Sequence, residues 1–173
     1  MTLPIICLTL LFTFFPVSTI CQPERAANRP NGHTTCTPAP IALKKQVRLF
    51  FQNLGWSAEQ AAGIVGNLWH ESELKPTVVS KYGNHRGVAQ WDRTRYKALC
   101  NWAAQNNLNP KDIFAQLEFV HHELTNDEQD AGQKLKRAKT VEEATKIFCT
   151  YYERAGLPML RLRIYYAKLS LSD

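Results

Sequence analysis

Two glutamates, Glu71 and Glu73, close a stretch that otherwise reads as a buried helix: Ala61-Ala62-Gly63-Ile64-Val65-Gly66-Asn67-Leu68-Trp69-His70-Glu71-Ser72-Glu73. The chemistry open to a carboxyl placed there is general-acid catalysis. Donating a proton to a leaving oxygen near neutral pH takes a carboxyl that has kept its proton. A helix C-terminus presents the negative end of the helix dipole, which disfavours ionisation of a carboxyl beside it. Apolar neighbours such as Leu68 and Trp69 push the same way. On a helical wheel Glu71 falls beside Ile64 at one edge of the apolar arc, and Glu73 beside Ala62 and Trp69 at the other. Helical geometry leaves the two tied, and each could equally be a solvated helix-end glutamate.

The helix that would carry them has a legible start and stop. Ser57 followed by Gln60 forms a capping-box pattern. From there Ala58, Ala61, Ala62, Ile64, Val65, Leu68 and Trp69 fill an arc of about 160°. Pro76 disfavours helical geometry at Lys75, so the helix must end between Glu71 and Leu74. Gly63 and Gly66 interrupt the arc at a cost of ~1 kcal/mol each against Ala. They fit a helix that another backbone or a substrate approaches closely, and helix packing is the commoner cause.

Around this helix the pattern is mainly α. Ile41 to Leu54 places Leu43, Val47, Leu49, Phe50, Phe51 and Leu54 at helical spacing before Gly55. Residues 77–85, with Tyr82, Gly83 and Asn84, read as a loop or irregular hairpin, and Gly87-Val88-Ala89-Gln90-Trp91 as a short strand. Asp92 can cap a helix carrying Tyr96, Leu99, Cys100, Trp102 and Ala103. Asn109-Pro110 opens another through Leu124, and a polar helix spans about Glu128 to Lys139. Thr140 with Glu143 repeats the capping-box pattern before a helix through Tyr152, and the last helix covers about Pro158 to Leu169. The fold class expected is mainly α with a small β region (α+β).

Composition bounds the organisation. The 173 residues suit one domain, and 45% hydrophobic with 21% charged residues is ordinary for a globular chain. The net charge of +6 favours an anionic partner such as nucleic acid, membrane or bacterial wall polymer, without choosing among them. Leu3 to Val17 is almost wholly apolar but short for a bilayer span, so residues 1–21 read as a signal peptide. Cys21 would suit lipidation, but Ile20 before it is a poor match for that processing. Residues 22–40, with Pro23, Pro30, Pro38 and Pro40 and few large apolar side chains, read as a flexible linker. The folded domain is then 41–173. Export would leave Cys21, Cys36, Cys100 and Cys149, whose tidiest pairing is Cys21 with Cys36 and Cys100 with Cys149.

A resemblance separates Glu71 from Glu73. Gly63-Ile64-Val65-Gly66-Asn67-Leu68-x-x-Glu71-Ser72, followed by Gly87-Val88-Ala89-Gln90-Trp91, resembles the phage tail lysozyme family. Phe50-Phe51, Leu54-Gly55, Gln116-Leu117-x-Phe119-x-x-x-Glu123-Leu124 and Tyr152-Glu153-Arg154 fit it as well. The resemblance implies a lysozyme-like fold from about Ile41 to the C-terminus and cleavage of peptidoglycan between N-acetylmuramic acid and N-acetylglucosamine. It implies that the glutamate of the Glu-Ser pair, Glu71, is the general acid. It also implies that Gln90 and its neighbours line the sugar cleft. Trp91 and Tyr82 could stack on sugar rings, although aromatics at such spacing are more often core, and Ser72 and Asn67 are further substrate-binding candidates. The partner implied is the glycan strand, with no nucleic acid, no cofactor and no stable membrane insertion once the signal is removed. A monomer that is secreted or periplasmic is expected.

Hydrolysis also calls for a second carboxylate, as nucleophile or to activate water. Asp92, Glu73 and Glu153 are the candidates, although Asp92 doubles as a helix cap and Glu153 could pair with Arg154. A lytic transglycosylase needs no such partner, because the substrate's own 6-hydroxyl attacks. The same residues are compatible with a chitinase-like hydrolase and with a non-catalytic module that binds peptidoglycan. His121-His122-Glu123 hints at a metal ligand set, but its place within an apolar-faced helix argues against one, and no metal is expected. His70 points away from the apolar arc and is expected to be exposed.

Overall fold

The computed structural model describes residues 39–172, and the expected signal peptide, most of the linker and the Cys21–Cys36 pairing lie outside them. Seven α-helices are present among the described residues: α1 (Ala39–Asn53), α2 (Ala58–Ser72), α3 (Arg93–Gln105), α4 (Ile113–Thr125), α5 (Gln129–Arg137), α6 (Val141–Ile147) and α7 (Leu160–Leu169). A π-helical turn, Phe148–Glu153, continues α6. The architecture is mostly helical.

Helix α2 is the axis of the domain, packed against α1, α6 and α7. It starts where the sequence says it should: Ser57 accepts from the Gln60 N–H at 3.2 Å and the Gln60 side chain accepts from the Ser57 N–H at 3.0 Å. The two glycines of its arc serve helix packing. A Cβ on Gly63 would lie 2.7 Å from the Ala144 Cβ of α6, and one on Gly66 would lie 2.3 Å from the Arg163 carbonyl of α7. Without side chains there, α6 and α7 approach to backbone contact and leave α2 buried from Gln60 to Leu68. Val47, Phe51, Trp56, Leu117, Phe119, Phe148 and Tyr152 complete the core around it.

Three expectations change. Gly87 to Trp91 is a tight turn, and the expected β region amounts among the described residues to two isolated bridges, Val79 with Arg86 and Arg86 with Trp91. Gly87 (φ 77°) and Gln90 (φ 46°) both adopt left-handed backbone, which an extended strand cannot contain. An apolar run this short does not distinguish the two forms by period. Second, α4 begins at Ile113 under an Asp112 cap that accepts from the Phe114 and Ala115 N–H groups, and Pro110 sits in the turn before it. Third, Cys100 and Cys149 are not joined. Cys149 is buried with its Sγ directed at the Pro158 carbonyl (3.7 Å), while Cys100 lies on α3.

Candidate active site

The end of α2 separates the two glutamates by backbone. Glu73 (φ 54°) and Leu74 (φ 60°) are both left-handed, which stops the helix before Pro76. That reversal turns Glu73 outward to Lys75 at 2.6 Å, with the side chain about as open as its partner's. The hydrogen bond and charge of Lys75 hold its carboxyl below the usual range. Glu71, one residue inside the helix end, faces a cavity of ≈ 430 Å³ instead. Only one of the pair lines it.

The cavity has three walls. The last turn of α2 contributes His70 and Glu71, the 80–90 loop contributes Ser80, His85 and Gln90, and the segment from the π turn to α7 contributes Glu153, Leu157 and Arg163. Ser72 joins the first two: its buried hydroxyl donates to Val88 O at 2.8 Å and to Leu68 O at 3.1 Å. Gln116 supports the same loop from α4, accepting from the Val88 N–H at 2.9 Å and donating to the Pro76 and Pro110 carbonyls. A Cβ at position 87 would lie 2.8 Å from that Gln116 oxygen, so the turn requires glycine there for room as well as for φ.

Arg163 is the anchor of the far wall. Its side chain is only 2% exposed, and it donates through Nη2 to Glu71 Oε1 at 2.6 Å, through Nη1 to Asn67 Oδ1 at 3.1 Å and through Nε to Pro158 O at 2.7 Å. Asn67 in turn donates to Gly63 O and Thr145 O, so its amide is committed inside the protein. The close approach of α7 at Gly66 is what brings Arg163 within reach of Glu71.

Glu153 is the second carboxyl at the cavity. It keeps part of its surface open, but its Oε1 is sealed and has no hydrogen-bond partner among the described residues. Burial pushes its carboxyl well above the usual range, and the Glu71 carboxylate pushes the same way, against Arg95 and Arg163. The π turn sets this geometry by sending Tyr152 into the core and Glu153 to the cavity; its end is fixed by left-handed Arg154, which pairs with Glu128. Such turns recur at functional sites.

The remaining sequence candidates fall elsewhere. Asp92 caps α3, accepting from the Arg95 N–H at 2.8 Å, and lines a different groove. Trp91 is 1% exposed, with its indole N–H shared by Glu123 (2.8 Å) and Tyr152 (3.3 Å), so it offers the cavity no ring face. Tyr82 stands 81% exposed on the loop, outside the cavity lining. Gln90 lines the cavity with its amide donating to Gly87 O at 3.0 Å. Ser72 and Asn67 are buried supports rather than surfaces. Of the histidine pair, His121 accepts from the Trp56 indole at 3.1 Å, and Glu123 is committed to Arg95.

Sequence reading missed Arg163 and misplaced His70. His70 is half-buried against the cavity; burial and then the charge of Arg163 lower its pKa, against Glu71. Arg163 did leave a trace: with Ala167 and Ser170 it falls on the buried side of α7, where an arginine must have a partner. No such pattern exists for Ser80, His85 or Leu157, which a loop geometry brings in.

A sequence model of the phage tail lysozyme family matches residues 42–171. The match spans α1 to α7 and both walls that carry the two carboxyls.

Proposed function

We propose, since the chain belongs to the phage tail lysozyme family, that it is a peptidoglycan glycosidase, a muramidase in which Glu71 protonates the oxygen leaving between N-acetylmuramic acid and N-acetylglucosamine. The observation that carries this reading is the pairing of Glu71 with Glu153 at one polar cavity. Glu71 takes the Arg163 bond on Oε1, which leaves Oε2 to face the leaving oxygen. It delivers the proton to the leaving oxygen as the anomeric C–O bond breaks. The attacking hydroxyl then returns a proton to the pair as its own oxygen bonds to the anomeric carbon. Arg163 fixes the carboxyl in the cavity, and Gln90, His70 and His85 supply polar groups to the sugar. The apolar stretch Leu3 to Val17, read as a secretory signal, supports a secreted or periplasmic protein. Among the described residues no helix is long and apolar enough to cross a membrane.

A second reading has its own support. Hydrolysis asks for a carboxylate to activate water or form the covalent intermediate. Among the described residues the cavity's second carboxyl is Glu153, whose burial disfavours the ionised form, while Asp92 and Glu73 lie elsewhere. Lytic transglycosylation, with the 6-hydroxyl of the muramic acid as nucleophile, needs no such group. Mass spectrometry of the fragments released from purified peptidoglycan separates the readings: reducing muramic acid ends mark hydrolysis and anhydro ends mark transglycosylation. Reducing N-acetylglucosamine ends, or no release at all, would overturn the proposal.

A further inference from the structure

A second groove, of ≈ 1230 Å³, runs along the 83–86 loop and the first turns of α3, and His85 lines both it and the catalytic cavity. Its charged rim is one-sided. Arg86, Arg93 and Lys97 line it, all exposed, and none makes an ion pair among the described residues. The acid in the lining, Asp92, spends an oxygen on the cap of α3. Tyr96 is the half-buried aromatic of the lining, and the Arg86 guanidinium sits over its ring at 5.8 Å. Arg93 also stands in the first turn of a helix that has no acidic residue there, a position the helix dipole disfavours for a cation. Neither Arg93 nor Lys97 makes an ion pair or a ring contact among the described residues.

Resting on the reading of the cavity as a peptidoglycan site, we infer that this groove binds the acidic stem peptide carried by the muramic acid whose bond lies at Glu71. The chemistry is complementary. The stem branches from the sugar next to the cleaved bond, carries several carboxylates and small apolar side chains, and would leave the cavity past His85. Charge-assisted contacts from two arginines and a lysine would hold the carboxylates, and the Tyr96 ring would take the apolar side chains. The groove thus selects peptide-bearing strands over bare glycan, and an exposed ion-pair site of this kind weakens with salt.

Arg93→Glu/Lys97→Glu and Lys97→Glu alone test this, because both side chains are exposed and neither touches the catalytic cavity. Cleavage is measured on peptidoglycan strands with their stem peptides and on the same strands stripped of them by an amidase. The wild-type protein is expected to prefer peptide-bearing strands. The double variant should lose about tenfold in kcat/KM on those strands and nothing on stripped ones, with Lys97→Glu falling between. Binding of a soluble, uncleavable muramyl peptide to the Glu71→Gln protein, by calorimetry, gives a readout independent of catalysis. If no strand is cleaved but that peptide binds and the groove variants abolish binding, the cavity reading fails and the groove stands. Equal wild-type cleavage of both strands, equal loss on both, or a preference that follows phosphate-bearing wall polymer instead of peptide would overturn the inference.

Discussion

Two carboxylate clusters lie on either side of the π turn, and they are built to opposite standards. In the first, Glu123 accepts from Arg95 through Nε (2.9 Å) and Nη2 (3.0 Å), from the Trp91 indole (2.8 Å) and from the Tyr152 hydroxyl (2.5 Å). Its side chain is 4% exposed, and the Arg95 guanidinium also covers the Tyr152 ring at 4.5 Å. In the second, Glu71 and Glu153 share a cavity, a single arginine serves Glu71, and the sealed oxygen of Glu153 has no partner among the described residues. A saturated network locks helices together, whereas an unsatisfied polar atom kept beside a cavity is tolerated where it is used. Charge and burial alone would rank the two alike; hydrogen-bond completeness tells structural from functional.

The substitutions that test this contrast separate by size and by readout. Glu71→Gln should abolish cleavage, a loss of about 10³-fold or more given what a general acid contributes, with a smaller fall in melting temperature than Glu123→Gln gives, because the amide oxygen can still accept from Arg163. Glu123→Gln should do the reverse. Breaking one side of a buried pair costs about 3 kcal/mol, read as a lower midpoint in chemical denaturation, while the folded fraction keeps most of its kcat. A Glu123 variant that is stable but inactive would dissolve the distinction.

Glu153→Gln sharpens it through pH. Burial, and then the Glu71 carboxylate, raise the folded-state pKa of Glu153 above the value of about 4.3 expected when unfolded. The folded protein therefore binds more protons than the unfolded chain above that value, and the group's contribution to stability falls as pH rises through the window between the two. Glutamine removes that slope. The variant should match the wild type in melting temperature near pH 4 and exceed it increasingly toward neutral pH, while its activity profile shifts because the cavity has lost a titrating carboxyl. A gap that narrows with rising pH would mean Glu153 is an ionised residue. The smallest effect belongs to Glu73→Gln, where only a surface pair with Lys75 is lost and activity should stay within about twofold.

Much of the scaffold was legible because it is written in local signals. The Ser57 capping box, the α2 arc and the stop before Pro76 all have local causes, and α2 ends at Ser72 as that stop requires. Helix packing also explains Gly63 and Gly66, as their contacts with α6 and α7 demonstrate. The turn at Gly87 was not legible, since an apolar run of this length suits a strand as well as a buried turn until φ is known. Of the site, Glu71 was tied with Glu73 on the wheel, and the difference lies in two left-handed residues beyond the helix end. Glu153 could not be ranked above Asp92 because its burial depends on a π turn that no spacing announces. Arg163 reaches Glu71 across 92 positions of sequence, a contact made by tertiary packing alone.

The central claim is that Glu71 and not its neighbour does the chemistry, and it is tested most directly by running Glu71→Gln and Glu73→Gln side by side in a zymogram of purified peptidoglycan. The account predicts no clearing by the Glu71 variant and near wild-type clearing by the Glu73 variant. Clearing by Glu71→Gln, with Glu73→Gln inactive, would contradict it.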